Sequence, residues 1–199
     1  MSEHSGQISG SVELRTPRLV LRAFRATDAE AVMTLAGDPR VATTTLTVPH
    51  PYELHHATGW IAMHEGMRAA GTAAVMAVCE AGGPLVGAIG LEIAKAHDRA
   101  ELGYWIGVPY WGKGYATEAS IELIRYGFET LGLNRIHAAH FAKNPASGRV
   151  LEKVGMTREG MLPQHLKRFG EYQDSVLYGL SRAAWEAGRS GKLEVGGRE

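Results

Sequence analysis

The sequence predicts an α/β protein of the mixed-sheet (α+β) kind, with helices on both faces of the sheet. Three observations carry this. Short strand-like apolar runs recur in the first half, and strand and helix patterns alternate after residue 101. One helix pattern, residues 117–131, is apolar over most of its circumference, as a helix packed firmly against a sheet must be.

Taken in order, Leu19, Leu21 and Ala23 alternate with polar partners in residues 18–25, a strand pattern. Thr27 or Asp28 caps a short helix to about Ala36, ended by Gly37, Asp38 and Pro39. Residues 43–51 read as a loop. A helix follows from Glu53 to about Ala70, with Leu54, Ala57, Ile61 and either Trp60 or His64 on its apolar side, and Gly71 breaks it. Residues 72–80 and 85–93, joined by Gly82, Gly83 and Pro84, form a hairpin. In the strand at residues 101–108, Leu102, Tyr104, Ile106 and Val108 share one face and Glu101, Gly103, Trp105 and Gly107 the other. The helix at 117–131 has one polar stripe, Glu118, Glu122, Arg125 and Glu129. Residues 135–142 are a strand, and Asn144 or Pro145 opens a helix to Val154. Gly155 sits where a left-handed C-cap residue belongs. Residues 156–166 and 172–180 complete the sheet.

The chain has 199 residues, enough for one domain with a substantial core, which we place at residues 13–187. Residues 1–12 and 188–199 lack apolar periodicity and read as flexible ends. Lys+Arg and Asp+Glu are both 21, a balance that argues against a broad nucleic-acid surface or a basic membrane anchor. Cys79, the single cysteine, has no intramolecular disulfide partner and reads as a buried structural thiol. With no secretory apolar region after Met1 and no membrane-length apolar run, the expected location is cytoplasmic.

The most informative stretch is ELGYWIGVPYWGKGYATEA, residues 101–119. A strand runs into Pro109, Gly112 and Gly114 flank Lys113, and a helix begins at once. Glycines let the backbone approach a ligand without an intervening Cβ. The N–H groups of residues 112–116 and the helix dipole then favour a phosphate or pyrophosphate. A plain tight strand–helix connection would use the same glycines. A nucleotide P-loop fits less well. Gly107, Gly112 and Lys113 match G-x-x-x-x-G-K, but Gly114 replaces the Ser or Thr that would hold magnesium.

Trp111-Gly112-Lys113-Gly114-Tyr115-Ala116 resembles the coenzyme A signature Gln/Arg-x-x-Gly-x-Gly/Ala of the GCN5-related N-acetyltransferases (GNAT), with Trp111 in place of Gln or Arg. Asn144-Pro145-Ala146-Ser147 followed by Leu151-Glu152-Lys153-Val154-Gly155-Met156 resembles a block of the ribosomal-protein (RimJ/RimL-like) branch. Leu14, Thr16, Arg18, Leu19, Leu21 and Arg22 near the start, and Asp174 and Tyr178 near the end, suit the same branch. The likeness covers residues 13–182. It implies the GNAT fold, a central twisted, mostly antiparallel sheet, and acetyl transfer from acetyl-coenzyme A as co-substrate to a primary amine in a ternary complex.

The same resemblance implies that pantetheine pairs with backbone of Ile106 and Val108 like an added strand. Pyrophosphate would sit on Gly112, Lys113, Gly114, Tyr115 and Ala116, with Thr117 in the first helical turn. Lys113 adds positive charge, or is only a solvated lysine. Asn144 would hold pantetheine and Ser147 would donate to the departing thiolate, although both also suit a helix N-terminus. Glu101 is the candidate base that makes the amine neutral, set against a solvated carboxylate or a partner of Arg99 or Lys95. A second glutamate found in RimL-like relatives corresponds here to Leu166. No metal is implied: His137 and His140 point to opposite faces of a strand, His55 and His56 diverge on a helix, and no HExxH or Cys pair is present. The acceptor, a small molecule or a protein N-terminus, would meet residues 42–51, the helix after them and residues 163–172. A homodimer is left open. A non-catalytic acyl-coenzyme A sensor is the alternative; it would keep the turn without needing Glu101 or Ser147.

Overall fold

The computed structural model describes residues 12–195. Its first half contains β1 (Leu14–Arg15), β2 (Leu19–Arg22), α1 (Ala29–Ala36), α2 (Pro39–Ala42), α3 (Leu54–Ala70), β3 (Ala73–Glu80), β4 (Leu85–Ala94) and β5 (Arg99–Ile106). There follow α4 (Tyr115–Glu129), β6 (Arg135–Phe141), α5 (Pro145–Lys153), β7 (Thr157–Arg168), β8 (Glu171–Ser181) and α6 (Arg182–Val195). The strands form one sheet in the order β1-β2-β3-β4-β5-β6-β8-β7. Every neighbouring pair is antiparallel except β5 and β6. The mostly antiparallel mixed sheet expected from the sequence is the one found.

Alternation along β3 divides the interior in two. Ala74, Met76 and Val78 face the larger core, which holds Leu123, Ile124 and Phe128 of α4 and Leu151 of α5. Ala77 and Cys79 face a smaller core with Ala29 and Val32 of α1 and Ala57 of α3. Helices thus cover both faces, and the Cys79 thiol is buried, its pKa raised by desolvation. Among the described residues no helix is long and apolar enough to cross a membrane.

Several boundaries differ from the sequence expectation, each for a local reason. The strand expected to run to Arg25 stops at Arg22, because buried Asp28 draws the chain round. It accepts from Arg22 at 2.7 and 2.9 Å and from the Arg25 N–H at 2.7 Å. Between the helix end expected at residues 37–39 and the loop expected at 43–51 a short helix intervenes: Asp38 caps α2 by accepting from the Arg40 N–H at 2.9 Å. The strand expected to reach Val108 ends at Ile106, and Val108 opens a single 3-10 turn with Pro109 inside it. Helix α4 begins at Tyr115 rather than Thr117. Gly71, expected to break a helix, does so at φ 63°.

The largest difference is α6, which extends through much of the segment read as a flexible tail. Its start is tied down by tertiary contacts. Arg182 Nε donates to the Leu133 carbonyl at 3.1 Å, Trp185 packs 5.0 Å from Phe128, and Arg189 pairs with Glu129. The expected flexible start lies outside the described residues except for Val12, as do residues 196–199.

His64 on α3 is 7% exposed, packed 4.4 Å from Trp60 and 5.3 Å from Phe24, and neither ring nitrogen has a hydrogen-bond partner. Burial lowers its pKa from 6.5 to about 4, so the fold holds the neutral ring. A depressed histidine pKa contributes stability that is fully present above its unfolded value and is lost as pH falls through its folded value. Stability is therefore expected to drop between about pH 6.5 and pH 4 by on the order of 3 kcal/mol from this residue. Denaturant titrations across pH should show His64→Leu flattening that part of the acid limb.

Candidate active site

The parallel pairing of β5 with β6 spans only Arg99↔Arg135, Ala100↔Ile136 and Glu101↔His137. Beyond Glu101, β5 stays on β4 while β6 continues on β8 as far as Phe141. The direction of the freed backbone groups follows from the ladder. The Gly107 N–H donates to the Val86 carbonyl at 2.8 Å, so Gly107 faces β4. Antiparallel alternation then turns the groups of Ile106 and Tyr104 toward the opposite, unpaired edge. Trp111 supplies one partner there. Its indole N–H donates to the Ile106 carbonyl at 2.6 Å while the side chain remains 46% exposed.

The edge leads into the glycine turn. Gly112 and Gly114 have φ of 77° and 79°, a region side chains disfavour, and no heavy atom lies within 4 Å of where a Gly112 Cβ would be. Gly114 is the N-cap of α4, and the first intrahelical bond runs from the Glu118 N–H to its carbonyl. The N–H groups of Tyr115, Ala116 and Thr117 are therefore free of helix partners and gathered at the positive end of a 15-residue helix. Free N–H groups at a helix start are the kind of donors that favour an anion.

The turn is held by a residue that sequence reasoning placed only in a polar stripe. The Glu118 carboxylate accepts from Thr16 Oγ1 at 2.6 Å, the Arg18 N–H at 3.0 Å and Arg18 Nε at 2.7 Å. Arg18 also donates to the Lys113 carbonyl at 3.0 Å, inside the turn. Burial pushes the Glu118 pKa up, but the bonds from Thr16 and Arg18 outweigh it and hold the group below its ordinary value. These residues are about a hundred positions apart, so their pairing is invisible to local pattern. Tyr115 is turned inward, donating to Glu80 Oε1 at 2.6 Å, which leaves its backbone N–H as what it offers a ligand. Lys113 Nζ is 4.0 Å from the same Glu80 carboxylate and 5.1 Å from the centre of the Tyr110 ring.

Asn144 caps α5, its Oδ1 accepting from the Ser147 N–H at 3.4 Å. Ser147 Oγ lies 2.8 Å from the hydroxyl of Tyr104, which joins β5 to α5. Glu101 belongs to the other face of β5, exposed, with its Oε2 3.7 Å from His137 Nε2. The side chain it approaches is thus that of His137, not Arg99 or Lys95; the Lys95 ammonium donates to the Ala70 carbonyl instead. Strand alternation sets Glu101 and the Tyr104–Ser147 pair on opposite sides of the sheet, flanking the parting. The two segments expected to meet an acceptor do touch: Arg168 donates to the carbonyls of Ala42 and Val48. Leu166 lies opposite Gln173 in the β7–β8 ladder. The His140 ring is engaged with the Phe141 carbonyl at 2.8 Å, and no group of three metal-binding side chains occurs among the described residues.

A family model described as an acetyltransferase (GNAT) domain matches residues 18–157. The chain is 32% identical over 169 residues to the uncharacterized N-acetyltransferase p20 of Bacillus licheniformis, covering 84% of this chain and 94% of that one. To the uncharacterized N-acetyltransferase YoaA of Bacillus subtilis it is 41% identical over 97 residues, 48% of this chain, and the match spans only about half, 55%, of that relative. Among solved structures, Mycobacterium smegmatis RimJ in complex with CoA-disulfide is 25% identical with a TM-score of 0.76, covering 91% of this chain and 94% of RimJ. The chain belongs to the GNAT acetyltransferase family and is RimJ/RimL-like within it.

Glu118→Ala should destabilise the fold by about 1 kcal/mol, because Thr16 and Arg18 lose their acceptor while the exposed Arg18 can turn to water. It should also weaken acetyl-coenzyme A binding by about tenfold through loss of turn order. Denaturant unfolding and calorimetric titration test the two effects separately; unchanged affinity would mean that the turn keeps its shape without the carboxylate.

Proposed function

We propose that this protein transfers an acetyl group from acetyl-coenzyme A to a primary amine by direct attack in a ternary complex. The observation that carries the reading is the unpaired edge of β5 running straight into the left-handed glycines at the start of α4. An extended chain with amide groups, ending in a pyrophosphate, has the chemistry that fits such an edge followed by such a turn. The family membership and the coenzyme A derivative named in the RimJ structure support the same ligand.

In this reading the pantetheine amides pair along β5 at Ile106, displacing the Trp111 indole. Val108 contributes from the 3-10 turn, not as part of a continuing strand. The pyrophosphate takes the N–H groups of residues 114–117, above the opening at Gly112, with Lys113 adding charge that it shares with Glu80. Asn144 fixes the start of α5 beside the pantetheine, and Ser147 offers its hydroxyl to the sulfur. Glu101 removes a proton from the acceptor ammonium, directly or through water, and the neutral nitrogen attacks the thioester carbon as the C–S bond breaks. The acceptor, a protein N-terminus or a small amine, enters on the side where Arg168 joins the β7–β8 hairpin to the loop after α2.

Two variants test the cofactor and base roles. Gly114→Val should fold yet weaken acetyl-coenzyme A binding at least about tenfold, since a branched side chain is strained at positive φ and obstructs a close ligand. Calorimetry showing native affinity in a folded variant would refute the cofactor site. Glu101→Gln should slow turnover roughly ten- to a thousandfold with cofactor affinity nearly intact. The assay is thiol release against a panel of amines and peptides, with wild-type rate rising as pH deprotonates the acceptor. Tight acetyl-coenzyme A binding without thiol release from any amine would instead identify a sensor.

A further inference from the structure

Tyr104 shares a face of β5 with buried Leu102 and Ile106, on the side covered by α4. Its hydroxyl lies 2.8 Å from Ser147 Oγ and 3.3 Å from the Ser147 carbonyl. The Ser147 N–H is already committed to Asn144, at 3.1 Å to its carbonyl and 3.4 Å to its Oδ1. The Ser147 hydroxyl is therefore the group of that residue left to turn, and Tyr104 is beside it. We propose that Tyr104 is a positioning residue: it donates to Ser147 Oγ and so aims the Ser147 proton at the sulfur leaving the thioester, which departs as a hydrogen-bonded thiolate. This rests on the reading of Ser147 as the sulfur's donor.

Each hydroxyl has one proton. If Ser147 donated to Tyr104, it would have none for sulfur. With Tyr104 donating to Ser147 Oγ, the shorter of its two contacts, the serine proton is free. An anion at the end of such a chain strengthens both bonds, so the developing thiolate selects this arrangement.

The acid strengths decide against full proton transfer. Burial, offset in part by the Ser147 hydrogen bond, raises Tyr104 to about 12. Titratable and charged groups on the surrounding elements include Glu101 on β5, Glu118 and Glu122 on α4, His137 and His140 on β6, and Arg149 and Glu152 on α5. Burial and the Ser147 hydrogen bond are the causes of the Tyr104 shift. An alkyl thiol titrates at about 8.5, so passing the tyrosine proton to the thiolate is unfavourable by a factor of about a thousand or more. The electron pair of the C–S bond stays on sulfur, and the thiolate takes its proton from solvent after it leaves. The proton lost from nitrogen goes to the base or to water.

The test needs no acceptor. Coenzyme A with its free thiol, bound to excess protein, is titrated by the ultraviolet absorbance of its thiolate below about pH 10, where tyrosine remains protonated. The unliganded protein, including Cys79, is subtracted. The wild type should lower the bound thiol's pKa relative to free coenzyme A. Tyr104→Phe, which keeps the ring, should raise it by about half a unit, roughly threefold in the thiolate ratio. Ser147→Ala should raise it at least as much, and the double variant should match Ser147→Ala. Acetyl-coenzyme A affinity should be unchanged throughout. A wild-type titration in Tyr104→Phe, or two shifts that add in the double variant, overturns the role of Tyr104 while leaving that of Ser147. A wild-type titration in Ser147→Ala overturns the serine reading itself, and failure to bind coenzyme A overturns the proposed function.

Discussion

Beyond Glu101 β5 keeps its hydrogen bonds to β4 while β6 follows β8, so a strand in the middle of the sheet has one edge without a neighbouring strand. Buried backbone donors and acceptors need partners, and this requirement shapes what surrounds the parting. Trp111 reaches back to the Ile106 carbonyl. Tyr104 bridges to the first turn of α5. The chain leaves β5 through a 3-10 turn and two left-handed glycines, which aim the start of α4 at the same opening.

Such an opening survives only if the surrounding elements are fixed. The fixing is polar on one flank and apolar on the other. Glu118 ties the start of α4 to β2 and the residues before it through Thr16 and Arg18, reaching the turn itself through the Lys113 carbonyl. Below it, Leu123, Ile124 and Phe128 anchor the rest of α4 in the larger core. A charge-assisted cluster that is partly shielded from water contributes more than an exposed pair such as Arg15–Glu13, whose partners are largely solvated. The two halves of the sheet can therefore diverge without the site between them losing its shape.

Much of this was legible in the sequence because its causes are local. Apolar runs joined by Gly82, Gly83 and Pro84 marked β3 and β4, alternation marked β5, and the Gly–Lys–Gly run before an apolar helix marked the turn. The Asn144–Pro145 pair marked the start of α5. What escaped had distant causes. Arg18 and Glu118 read as ordinary surface charges until the fold brings them together. Tyr104 counted as one more apolar-face residue until α5 set a serine against it, and His137 replaced the partners expected for Glu101. Helix α6 lacks apolar periodicity over the segment read as a tail and is anchored at its start by Arg182 and Trp185. The end of β5 was misplaced by two residues, since only the tertiary ladder shows that pairing stops before Pro109.

The indole of Trp111 has a consequence for thermodynamics. In the proposed mode a ligand amide takes the place of an existing donor at the Ile106 carbonyl, so the number of hydrogen bonds to that oxygen is unchanged on binding. Conserved exchanges of this kind add little net free energy. Discrimination among ligands then falls to the anion turn and to apolar burial, while the carbonyl acts as a register mark that says where along the strand a ligand must lie. Between ligands, the same indole screens the exposed end of the edge from the strand of a foreign chain, a protection that sheets otherwise obtain from charge or proline at their margins.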